Sequence, residues 1–181
     1  MESNNKMEKI NIEEKSIELD ELMKRAEENA LDSEEFMATR KRLEFLTSQK
    51  DRTNFLSEIW DLKKKMAKSS VTVKTLYELK MLLEKSKMDK ETQISVLAHE
   101  NAHGNKADSL GAKHESYILS VWKIGDKFGY SVGTHITHPD AWDKDKDKNV
   151  SIEYTKAPEE YGGYLSDKDK EDIEQKNNTK N

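Results

Sequence analysis

Residues 90–138 read KETQISVLAHENAHGNKADSLGAKHESYILSVWKIGDKFGYSVGTHITH, and the change of pattern inside this stretch decides the fold class. Asp89 stands where an N-cap is wanted, for a helix that runs to about Asp108 and that Gly111 ends. Tyr117 to Ile124 is then rich in aromatic and β-branched residues, Gly125 to Gly129 is turn-like, and Tyr130 to Thr137 resumes the strand character. Together these segments read as a hairpin. A helix followed by a hairpin, after a first half that reads as helical, predicts an α+β protein.

Upstream of this stretch, apolar residues recur at helical spacing. Ile17, Leu22, Met23, Ala26 and Ala30 mark a first helix over 17–31, with Asp32 or Ser33 capping a second that carries Phe36, Met37, Leu43 and Leu46. Asp51 to Lys68 places Phe55, Leu56, Ile59, Leu62 and Met66 on one stripe beside Trp60, and Val73 to Lys85 reads as a fourth helix. Residues 17–87 are therefore expected to be a helical, coiled-coil-like region. Residues 1–16 are polar and expected to be disordered. Residues 88–165 are expected to form a metal-binding α+β domain, and 166–181 a short helix with a disordered tail. Val150 to Tyr154 reads as a short strand, and Gly162-Gly163 as a turn. Asp143-Lys144-Asp145-Lys146-Asp147 has the opening spacing of a calcium loop but lacks its glycine and its final glutamate, so it reads as a solvated linker.

Composition narrows the function classes. The 181 residues are 34% apolar and 37% charged, so one modest core is expected, with long solvated helix faces. A net charge of -5 with Lys and Glu interspersed gives no attraction to a phosphate backbone, and nucleic acid is not an expected partner. There is no cysteine, so any metal must be held by His, Asp, Glu or water. No apolar run approaches the roughly 18 residues that cross a bilayer, so no membrane partner is expected and the setting reads as cytoplasmic.

His99-Glu100-Asn101-Ala102-His103 matches H-E-x-x-H inside the segment already read as helix. Residues four apart lie one turn apart on one face, so His99 and His103 are placed to chelate a single ion with Glu100 beside it. Zinc so held makes a bound water acidic near neutrality, and an adjacent carboxylate can take its proton.

In these residues, and in Val96-Leu97-Ala98 before them, the chain resembles the zincin metallopeptidases. The resemblance implies Zn2+ as cofactor, His99 and His103 as ligands, Glu100 as general base and a protein or peptide as substrate. Lys106 and Ser109 stand where metzincins carry glycine and a third histidine, so that subgroup is excluded. Gluzincins supply a glutamate from a following element, which leaves Glu115. All five histidines, His99, His103, His114, His135 and His138, fall within forty consecutive positions, as a metal site requires. His135, on the second hairpin strand, is the expected third ligand, with His114, Glu115 and His138 as alternatives. The alternative function is a non-enzymatic interaction protein whose N-terminal helices bind a protein partner and whose histidines hold a structural metal or none.

Overall fold

The computed structural model describes residues 2–49 and 51–178, with side chains from Ile12 onward. The fold is α+β. Among the described residues the helices are α1 (Glu2–Glu28), α2 (Ser33–Ser48), α3 (Leu56–Lys68), α4 (Leu76–Lys85), α5 (Lys90–Ser109), α6 (Lys144–Glu160) and α7 (Asp167–Asn178). The strands are β1 (Leu31–Asp32), β2 (Ser70–Val73), β3 (Lys113–Ile124) and β4 (Lys127–Thr137). β3 is the hub of the sheet: the order is β1-β3-β2, and β4 also pairs with β3. Among the described residues no helix is long and apolar enough to cross a membrane.

The chain forms two compact units, neither of them a continuous segment. Unit 1 takes 1–72, 81–88 and 119–131; unit 2 takes 73–80, 89–118 and 132–181. A division at residues 87 and 165, as local patterns suggested, misses this interleaving because the long hairpin gives its tip to one unit and its base to the other.

Unit 1 is built on apolar burial. Leu19, Met23 and Ala26 of α1, Phe36 and Leu46 of α2, and Leu119 and Val121 of β3 are all buried. β1 runs parallel to β3 in the register Leu31↔Trp122, Asp32↔Lys123. This lets the Trp122 ring stack on Phe36 with centroids 4.8 Å apart. Opposite it on β4, Gly129 has to be glycine, because a Cβ there would overlap the indole.

Unit 2 packs α5 against α6. Small residues on α5 allow the close approach: Ala107 joins Ala112 and Val150 in a core closed over by Ile136, Trp142 and Tyr154.

Several local expectations are corrected. Residues 2–16, expected to be disordered, are helical in α1, since Lys, Glu and Met are good helix formers and Lys15 pairs with Glu18 at 3.0 Å. Of the expected C-terminal tail, residues 176–178 are the end of α7, while Met1 and residues 179–181 lie outside the described residues. Strands β1 and β2 interrupt the helical first half; in Val71-Thr72-Val73 the alternation of buried and exposed residues is that of a strand. Val150 to Tyr154 is helix, not strand. Asp143 starts α6 by accepting the Lys146 N–H at 2.7 Å, and Asp145 and Asp147 in the first turn favour the positive end of the helix. The calcium-like spacing is thus the opening of α6.

Candidate metal centre

The Asp89 side chain accepts the Thr92 N–H at 2.9 Å and fixes the start of α5. Three turns in, His99 and His103 fall on one face, their rings edge to face with centroids 4.7 Å apart. Asp169, from the first turn of α7, completes a group with both. His99 Nε2 lies 3.1 Å from His103 Nε2 and 3.0 Å from Asp169 Oδ2, and His103 Nε2 lies 3.4 Å from Asp169 Oδ1. Among the described residues this is the one group of three His, Asp or Glu close enough to share an ion.

The surroundings fix each donor. Pro158 lies inside α6 and has no N–H, so the carbonyl four residues earlier, that of Tyr154, lacks its intrahelical donor. His103 fills that gap: its Nδ1–H donates to Tyr154 O at 2.8 Å. A neutral imidazole protonated at Nδ1 keeps its Nε2 lone pair, which faces His99 and Asp169. Asp169 is held from its own helix. Ser166 donates to Asp169 Oδ2 through its N–H at 2.9 Å and its hydroxyl at 2.6 Å, and the Asp169 N–H returns to Ser166 Oγ at 3.1 Å. One carboxylate therefore closes a reciprocal cap on α7 and faces both imidazoles.

The charges of the three groups act on one another. Burial alone would raise the Asp169 carboxyl, but the neighbouring His103 and His99 rings and the hydrogen bonds from Ser166 outweigh it and hold the group well below the usual carboxylate range. Burial alone would lower His103; Asp169 and the Tyr154 carbonyl reverse the sign and raise it. Glu100 is buried, and burial raises its carboxyl against the lowering effect of the Thr134 hydroxyl, which donates to Oε2 at 2.7 Å, and of the two imidazoles.

The donor set suits zinc. A tetrahedral ion with bonds of about 2.0–2.1 Å needs ligand atoms about 3.3 Å apart; the two histidine nitrogens are 3.1 Å apart, and each lies 3.0 or 3.4 Å from a different oxygen of Asp169. Two imidazoles with one carboxylate, leaving a further position open, is a catalytic type of set.

Comparison of the chain with family models, curated proteins and solved structures finds no match. The site rests on its own geometry.

His135, the expected third ligand, is outside the group and exposed. Strand alternation explains this: Thr134 points to Glu100, so His135 faces the other way. His114 instead lies against the Tyr117 ring at 4.3 Å, and Glu115 is taken by Thr137 at 3.0 Å and Lys113 at 2.8 Å. His138 pairs with Asp147 and sits between the rings of Trp142 and Tyr154. Asp169 was missed because it is one of four carboxylates in Asp167–Asp172; its one local mark is Ser166-x-x-Asp169, the spacing of a capping box.

His99 and Glu100 open onto a cleft of about 400 Å³, walled by α5, Val132 of β4 and the α6–α7 connection. The arrangement offers three ligands, one buried carboxylate beside them and room for a substrate.

Proposed function

We propose that this chain is a zinc-dependent hydrolase, and by the resemblance of its motif a metallopeptidase. The observation that carries the reading is the clustering of His99, His103 and Asp169, whose donor atoms lie within 4.8 Å of one another, next to a buried glutamate that lines a substrate-sized cleft. His99, His103 and Asp169 would hold the ion, whose chemistry is Lewis acidity: it makes a coordinated water acidic near neutral pH.

The remaining chemistry belongs to the chain. Glu100 takes up a proton in the cleft, and burial moves its carboxyl towards the working range of a general base. Thr134 holds that carboxylate by one oxygen and leaves the other uncommitted by that bond. Pro158 and Ser166 act at one remove, setting the His103 tautomer and the position of Asp169. A cysteine-free chain suits the cytoplasm, where we place it.

A second reading is an interaction protein with a structural zinc. Leu56 and Trp60 favour it, one turn apart on α3 and 59% and 70% exposed. Glu100 separates the two readings. Glu100→Gln keeps the shape and the Thr134 hydrogen bond, so zinc content should be unchanged while peptide hydrolysis falls by about a hundred-fold or more. Zinc-loaded wild type that turns over no faster than Glu100→Gln would leave the structural reading.

A further inference from the structure

The connection between α6 and α7 reads Tyr161-Gly162-Gly163-Tyr164-Leu165-Ser166, and its backbone is tightly specified. Gly162 adopts φ +79°, and the Gly163 N–H donates to Pro158 O at 2.9 Å. A Cβ at Gly163 would lie 3.0 Å from that same oxygen, so the turn needs the small residue. This turn sets two aromatic rings at the cleft, and Tyr161 and Tyr164 are 67% and 73% exposed. In a chain with so few apolar residues, two large rings left uncovered beside a catalytic type of group are placed for something other than the core.

The rest of the lining agrees. No Lys, Arg or Asp is among the described residues that line the cleft, and Glu100 is its only carboxylate, although 37% of the chain is charged. Val96, Val132 and Pro158 line the cleft with the two rings. Away from the ion site, a charged side chain packed against the rings would lose water with no lysine, arginine or aspartate in the lining to meet it. An aromatic or large aliphatic side chain would instead meet ring faces and apolar walls.

We propose that this cleft takes an uncharged peptide segment whose aromatic or large aliphatic side chain packs against Tyr161 and Tyr164. The inference rests on the hydrolase reading for its chemistry, but its binding is measured separately. The two rings and the ligand Asp169 sit on one short piece of chain, so the substrate contact and the ion are positioned together.

The test uses the full chain, zinc-loaded and carrying Glu100→Gln so that nothing is consumed. Affinity is measured by fluorescence anisotropy for short, labelled, end-capped alanine peptides with a central phenylalanine, lysine or glutamate. The phenylalanine peptide should bind about tenfold or more tightly than the other two. Adding Tyr161→Ala and Tyr164→Ala should remove most of that preference, while Tyr161→Phe and Tyr164→Phe should keep it; the exposure of both rings leaves the fold intact, as circular dichroism will show. Equal affinities, a preference for charge, no binding of any peptide, or a preference that survives loss of both rings overturns the proposal. The parent reading is scored apart, by cleavage of the same peptides with wild type. Binding preference without cleavage sinks the hydrolase, whereas cleavage without preference sinks this inference alone.

Discussion

Unit 1 fully buries Phe36, Leu19, Leu46, Leu82, Leu83, Leu119 and Val121, while unit 2 buries Glu100, His103 and Asp169. The first list is the residue set that stabilises a fold at least cost. The second is the set that costs most to take out of water, and each of its members needs a partner before it can be tolerated. Unit 2 supplies those partners one by one: Thr134 for Glu100, the Tyr154 carbonyl for His103, Ser166 for Asp169. Unit 2 has apolar residues inside too, Leu79 and Ala107 among them, but it gives part of its interior to holding donor atoms together.

That contrast can be broken in order of effect. The largest expected change comes from Phe36→Ala, which removes a fully buried ring and its stack on Trp122 and should cost about 3–5 kcal/mol in chemical denaturation. Its effect on the zinc affinity of the folded fraction should be slight, because Phe36 and the donor group belong to different units. A large loss of zinc affinity in this variant would break the comparison. Next comes Pro158→Ala, in which stability and binding should move in opposite directions. Alanine restores an N–H for the Tyr154 carbonyl and a better helix former to α6, so the melting temperature of the metal-free protein should hold or rise. The same N–H competes with His103, and zinc affinity should fall about ten- to a hundred-fold. Unchanged affinity in a calorimetric titration would show that the carbonyl does not set the imidazole. Ser166→Ala should be the mildest. It removes the cap hydroxyl of α7, worth about 1 kcal/mol, but the Ser166 backbone N–H still holds Asp169, so zinc affinity should drop less than in Pro158→Ala.

The parts of the site that were legible in sequence are those that depend on neighbours along one helix. Asp89 announced α5, and the spacing of His99 and His103 put both on one face of it. The hairpin was legible too, through its β-branched residues and the turn at Gly125. Asp169 was not, because it reaches the imidazoles across 66 residues of chain from a helix full of similar carboxylates, and only packing of α7 distinguishes it. His135 was preferred for its residue type, yet the alternation that aims Thr134 at Glu100 turns His135 away. Val150 to Tyr154 failed for a related reason. Its strand-like composition was overruled by the Asp143 cap and by a helical face that buries Val150, Ala157 and Pro158 in unit 2.

The most direct measurement is a zinc titration of the full chain against a colorimetric chelator, with single alanine variants in parallel. Wild type should bind one ion per chain, and His99→Ala, His103→Ala and Asp169→Ala should each weaken binding by about a hundred-fold or more, since each removes a donor. His135→Ala should bind as wild type does. No zinc bound by wild type, or binding that survives Asp169→Ala and is lost in His135→Ala, would contradict the assignment of the centre to His99, His103 and Asp169.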